Sequence, residues 1–155
     1  MQRKRSLELR VPPPVVALFV GFAMWAASMP VAHLPVPRRL RIALAIVSAG
    51  LGVGIAVAGV ATFRRARTTI SPLTPDAASA LVRTGVYRYT RNPMYLGMLL
   101  CLVAWAAWLS NVLSWLLVPA FVLYMNRFQV GPEERALAAL FGADYAAYRR
   151  DVRRW

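Results

Sequence analysis

Acid is scarce in this chain, so its placement carries information. Six Asp and Glu stand against nineteen Lys and Arg, for a formal net charge of +13. Four of the six acids, Glu133, Glu134, Asp144 and Asp151, fall within residues 133–155. Glu133 and Glu134 are adjacent and follow directly on an apolar run. At the start of a helix such a pair complements the dipole by about 0.3–1 kcal/mol. Adjacent carboxylates can equally hold a cation or accept a proton. The second chemically loaded stretch is "GVYRYTRNPMYLG", residues 85–97. Asn92 precedes a proline and is therefore biased to extended backbone, from which it can cap the helix that Pro93 begins. The first-turn N–H groups, including those of Met94 and Tyr95, then have no intrahelical acceptor, and Arg88 and Arg91 flank them. That arrangement favours an anion. A collar of Arg and Tyr meeting lipid headgroups explains the same composition.

Other chemistries lack their residues. The single histidine, His33, is remote in sequence from the single cysteine, Cys101, and from the acids, so neither a metal site nor a nucleophilic triad is expected. No phosphate-cradling glycine run or dinucleotide fingerprint occurs.

These residues must be positioned by a chain that is 59% hydrophobic, with a mean hydropathy of +0.49. Its arginines cluster at 3–10, 38–41, 64–67, 83–91 and 149–154, between apolar runs of helical length. Charge that punctuates apolar spans is a membrane pattern, and it argues against a nucleic-acid-binding module. The spacing predicts apolar helices over about 12–32, 40–63, 93–109 and 111–128. Three prolines at 12–14 suit a helix start. Ser110 and Asn111 leave room only for a tight hairpin between the last two helices, and Pro119 predicts a kink. Gly50 and Gly54 form a Gly-x-x-x-Gly element, expected at a close helix–helix contact.

The fold expected is therefore an all-α integral membrane protein of about four transmembrane helices, the last two a tight hairpin. A cytoplasmic loop at 64–92 and amphipathic C-terminal helices complete it. Asp76 is placed to cap a short helix through residues 77–82. Pro132 fits the first position of a C-terminal helix whose apolar face is Leu137, Leu140, Phe141, Tyr145, Tyr148 and Val152, and Gly142 should interrupt it. Asp144 then caps a second short helix. The basic N-terminus reads as a retained signal anchor. Counting cations, the parts on the N-terminal side hold sixteen and the opposite side three, Arg38, Arg39 and Arg41. The bias predicts N-in, C-in orientation in a bacterial inner membrane. The three outer arginines are the misfit, and a later start to the second helix would relieve it.

"LVRTGVYRYTRNPMYLG" (81–97) and "EERALAALFGADYAAYRRDVRRW" (133–155) together resemble the isoprenylcysteine carboxyl methyltransferase and phospholipid methyltransferase superfamily. The likeness covers residues 64–155, within a single domain of 1–155. It implies S-adenosylmethionine as cofactor and a lipophilic small molecule or lipid as methyl acceptor, with membrane lipids as surroundings. Matched to the family pattern, Arg91 and Glu133 become catalytic candidates. Tyr87, Asn92, Pro93, Met94, Tyr95, Gly97, Glu133 and Glu134 become cofactor-binding candidates. Where the eukaryotic enzymes carry His this chain has Asn92, and many relatives have Gly-Pro-Tyr where it has Gly85-Val86-Tyr87. A carboxylate acceptor needs no general base, whereas an amine or thiol must lose a proton. With no histidine in the motifs, an anionic acceptor is favoured, and Arg83 or Arg88 is its candidate partner. The competing reading is a non-catalytic membrane protein that binds anionic lipid or a partner through its Arg collars. An NADPH-dependent reductase of related C-terminal architecture ranks below both.

Overall fold

The computed structural model describes residues 8–66 and 80–155. Five α-helices run through them: α1 (Pro13–Ser28), α2 (Arg38–Arg65), α3 (Pro93–Leu109), α4 (Val112–Met125) and α5 (Gly131–Asp151). A short 3-10 turn, Gly85–Arg88, precedes α3, and a π-helical turn, Asn126–Val130, joins α4 to α5. No strand occurs among the described residues, apart from an isolated parallel bridge between Thr90 and Arg153. The expected cap at Asp76 lies outside the described residues, and Ala80–Val82 are not helical.

Proline sets the helix starts. Pro13 begins α1, Pro93 begins α3, and Pro132 sits in the first turn of α5. Pro37 stands as the N-cap of α2 and fixes its start at Arg38, earlier than the sequence pattern indicated. The three misfit arginines are thus inside the first turn of the helix. Arg41 lays its guanidinium 5.9 Å from the Trp108 ring centroid. A guanidinium over an indole face gains cation–π attraction, and the helix keeps its early start at Arg38. α2 has 28 residues, a mean hydropathy of 2.2 over its best window and little of that window buried inside the protein. At 1.5 Å per residue it extends about 42 Å, enough to cross a bilayer. α1 and α3 are apolar but shorter, at 16 and 17 residues.

The closest helix contact is between α2 and α3, and it does not use the expected glycines. A Cβ on Gly50 or Gly54 would meet nothing within 4 Å. Gly52 faces α3 instead: a Cβ there would lie 2.7 Å from the Gly97 carbonyl, and one on Gly97 would lie 2.6 Å from the Gly52 carbonyl. The two backbones touch, and only hydrogen fits between them. Gly59 continues the contact one step further, against Met94 and Pro93. Gly97, expected at the cofactor, lies in this crossing.

The α3–α4 hairpin turns where the sequence placed it. Ser110 adopts left-handed backbone (φ 49°), and Asn111 caps α4 by accepting a hydrogen bond from the Ser114 N–H at 2.9 Å. Ser114 Oγ donates to the Met24 carbonyl at 3.2 Å and ties this end to α1. His33 Nδ1 lies 2.9 Å from the Leu109 carbonyl oxygen, at this same end. The core between α1, α3 and α4 is built on Met24, Ala106, Phe121, Met125 and Val130, all fully buried.

α4 does not give way to a separate tail. The chain continues through the π-helical turn, where Gly131 N–H donates to the Asn126 carbonyl, and passes straight into α5. Gly142 then breaks α5, as expected, with φ 48° and ψ −119°. Beyond the break Tyr145 and Tyr148 turn inward and are buried, while Leu140 of the expected apolar face is exposed. Asp144 is engaged with Arg83 at 3.3 Å. Val152 adopts extended backbone beyond the end of the helix.

Candidate functional site

The start of α3 and the start of α5 meet, and their contact brings the two chemically loaded stretches together. Tyr95, in the first turn of α3, donates its hydroxyl to Glu133 Oε1 at 2.5 Å. Gln129 Nε2 donates to the same oxygen at 2.7 Å. Gln129 lies four residues before Glu133, which puts the two on one face of a helix. Among the described residues no Lys or Arg forms an ion pair with Glu133. Burial pushes its carboxyl up to about 7, and the neighbouring Glu134 carboxylate adds to the rise, while the two hydrogen bonds pull the other way. Glu133 is thus poised to change protonation near neutral pH.

Glu134, its neighbour, is electrostatically saturated. Arg91 Nη2 approaches Glu134 Oε1 at 3.1 Å. Arg154 grips both oxygens, Nε at 3.0 Å from Oε1 and Nη2 at 2.6 Å from Oε2. Such a fork-shaped pair is the strongest geometry available to a carboxylate. Adjacent acids in one helix therefore occupy opposite electrostatic states.

Arg91 is not saturated. Its side chain is only 10% exposed, and its Nε and Nη1 are buried without any hydrogen-bond partner. Buried donors left open in this way carry a desolvation penalty of about 1–3 kcal/mol.

The C-terminal residues hold this arrangement and were missed by sequence reading. The Arg91 N–H donates to the Arg153 carbonyl at 2.9 Å. Asn92 occupies the N-cap position of α3, but its side chain makes no cap. Its Nδ2 donates instead to the Arg154 carbonyl at 2.9 Å, and Thr90 Oγ1 donates to that carbonyl at 3.1 Å. Trp155 Nε1 donates to Asn126 Oδ1 at 3.0 Å, on the π-helical turn. In sequence, Arg153 and Arg154 look like any basic collar, so only Gln129, through its four-residue spacing to Glu133, left a usable signal.

The remaining candidates divide. Tyr87 is buried against Phe63 of α2, with ring centroids 5.1 Å apart, and its carbonyl accepts from Tyr148 Oη at 2.8 Å. Gly85 permits this packing, since it has φ 58° and a Cβ would lie 2.8 Å from Thr62 Oγ1. Burial raises the Tyr87 hydroxyl far above the usual phenol range, with Tyr148 and Glu133 adding to it. Pro93 is buried and Met94 half-buried at the Gly59 contact. Arg83 pairs with Asp144 on the surface. Arg88 is exposed at the end of the 3-10 turn. The structure therefore brings together Arg91, Asn92, Tyr95, Glu133 and Glu134, and it places Arg83 and Arg88 on the surface.

Against known proteins, the model of the phospholipid methyltransferase family matches residues 40–144. An uncharacterized protein of Haemophilus influenzae is 50% identical over 62 residues, covering 40% of this chain and 98% of that protein. A protein-S-isoprenylcysteine O-methyltransferase of Saccharomyces cerevisiae is 39% identical over 80 residues, half of this chain and 32% of the yeast protein. The chain thus spans about a third of that yeast enzyme's length. No solved structure matches.

Proposed function

Because the chain belongs to the phospholipid methyltransferase family, we propose that it is a membrane-embedded methyltransferase that uses S-adenosylmethionine and methylates a lipophilic acceptor. One observation carries this reading. A half-buried carboxylate without a cation among the described residues, Glu133, and a guanidinium with two buried open donors, Arg91, are both tied to the same short stretch of α5. Together they complement a ligand that bears an ammonium and a carboxylate, as an amino acid does.

When bound, S-adenosylmethionine would supply an electrophilic methyl group on a sulfonium. Arg91 Nε and Nη1, with the free N–H groups of the first turn of α3, would take its carboxylate. Glu133 would take its ammonium, or accept the proton of an acceptor that must lose one. Tyr95 and Gln129 orient the Glu133 carboxylate, and Glu134 with Arg154 holds Arg91 in place. An in-line displacement needs little more from the protein than alignment of the two reactants.

The acceptor's apolar part has a place to lie. An open groove of about 860 Å³ between α1, α2 and α3 is lined by residues such as Leu18, Phe22, Val57, Gly97, Met98 and Trp105. It runs along α3 away from Tyr95. This supports a lipid or a prenylated molecule as acceptor, carboxylate or headgroup, with four helices within a bilayer. Three arginines of the sequence's collars (Arg83, Arg91 and Arg154) are engaged in ion pairs within the chain.

The test is calorimetric titration of S-adenosylmethionine into detergent-solubilised protein. Wild type should bind; Glu133→Ala and Arg91→Ala should each weaken binding by about tenfold or more, as expected for a lost charged contact of about 1.5–3 kcal/mol. Equal affinity in both variants would refute the site, and absence of binding to wild type would refute the function.

A further inference from the structure

Residues 8–28 lie outside the stretch that the family model matches, yet Glu8 reaches the helical turn that carries the site. Its side chain is 11% exposed. Oε1 accepts from Arg127 Nη1 at 2.9 Å, and Oε2 accepts from Arg135 Nη2 at 2.8 Å. The next residue, Leu9, donates its N–H to the Phe128 carbonyl at 3.1 Å, and it does so from left-handed backbone with φ 56°. A non-glycine residue adopts that conformation only when its surroundings enforce it.

These contacts have one geometric meaning. Arg127 and Phe128 belong to the π-helical turn, and Arg135 stands in α5 beyond it. Glu8 thus bridges the turn from one side to the other. Between its two anchors lie Gln129, Glu133 and Glu134. A π-helical turn inserts one extra residue into a helix and is intrinsically less favourable than α-helix, so its register depends on outside contacts. Trp155 braces the same turn at Asn126 from the other direction.

We infer that Glu8 is a positioning residue: by clamping Arg127 and Arg135 across the π-helical turn, it sets the register that presents Glu133 to Tyr95 and Gln129. The mechanical part stands on the geometry alone, and the effect on binding rests on the cofactor reading above.

The experiment combines hydrogen exchange of the ligand-free protein in detergent with titration of S-adenosylmethionine, for wild type, Glu8→Gln, Glu133→Gln and the double variant. In Glu8→Gln the amides of 126–134 should exchange about tenfold faster, with those of α2 and α3 unchanged. Cofactor affinity should fall about tenfold in the wild-type background and not fall further in the Glu133→Gln background, since coupled residues are non-additive. Should Glu8→Gln fail to fold, Arg135→Gln removes one arm of the clamp from a half-exposed side chain. It should give the same local signature at smaller amplitude. Unchanged exchange at 126–134, acceleration spread evenly over all helices, or an equal loss of affinity in both backgrounds would overturn the inference. If wild type binds no S-adenosylmethionine, the proposed function fails, and the exchange data decide the clamp by themselves.

Discussion

Tyr95 and Glu133, 38 residues apart, share a hydrogen bond of 2.5 Å that joins the start of α3 to the start of α5. Glu134, the next residue, is bound by two arginines, while Glu133 has none among the described residues. The contrast between the neighbours follows from helix geometry. Consecutive positions differ by about 100° around the axis, so one acid faces α3 and the other faces Arg91 and the C-terminal residues.

The raised carboxyl of Glu133 makes stability depend on pH. Its folded value, about 7, lies above the ordinary 4.5, and burial is the first cause. The folded state therefore holds the proton more tightly than the unfolded chain. The sign follows: stability is fully present below about 4.5 and declines as pH rises through about 7. Thermal melting from pH 5 to 8 should show that decline in wild type, and Glu133→Gln should flatten it. A ligand that brings a cation should bind more tightly at pH 8 than at pH 6, since it needs the anion. A pH-independent affinity would exclude Glu133 as its partner.

Removing Arg91 leaves Glu134 with Arg154 alone. Breaking a buried ion pair by deleting one member typically costs about 3–5 kcal/mol, because the other charge stays desolvated. The partly exposed Arg154 still compensates Glu134, so the loss in Arg91→Ala should fall below that range, near about 2 kcal/mol in denaturant melts. The double variant Arg91→Ala/Glu134→Gln should recover part of it. A double variant that is less stable than the sum of the singles would show that this pair is not the coupling that matters.

Much of this was legible in the chain, and the illegible parts have physical reasons. Pro13, Pro93, Pro132 and Gly142 punctuate helices by backbone chemistry that needs no tertiary information, so the helix starts and the α5 break could be read. Ser110 and Asn111 fixed the hairpin in the same way. The link between residues 85–97 and Glu133-Glu134 came from family likeness, because nothing local connects positions forty residues apart. The π-helical turn left no mark: one extra residue in a helix is chosen by how Glu8, Trp155 and Tyr95 meet it. Gly50, Gly52 and Gly54 offer α3 alternative faces, and periodicity cannot choose between them. Arg154 looked like any collar arginine, since its partner Glu134 stands 20 residues away.

The α2–α3 crossing should tolerate no side chain. Gly97→Ala would put a methyl 2.6 Å from the Gly52 carbonyl and 2.7 Å from Ala56 Cβ. Overpacking of a contact between backbones costs about 1–3 kcal/mol, with the helices forced apart. Gly50→Ala, which meets nothing within 4 Å, should be neutral or slightly stabilising. Melting both variants in detergent checks the pair. Equal destabilisation would mean that the Gly50 face is also in contact, for instance with a second copy of the chain.

The site and His33 should lie on opposite sides of the membrane. His33 sits by the α3–α4 hairpin turn at Leu109, whereas Arg91 and Glu133 lie at the other ends of those helices. The cation bias of the sequence predicts that the site lies on the inner side. In a Cys101→Ser background, Ala32→Cys and Ala143→Cys place single thiols at exposed positions of the two ends. In intact cells a membrane-impermeant maleimide should label Ala32→Cys, and it should reach Ala143→Cys only after permeabilisation. Labelling of Ala143→Cys in intact cells would reverse the orientation. Labelling of both thiols from outside would mean that α3 and α4 do not cross the bilayer between them.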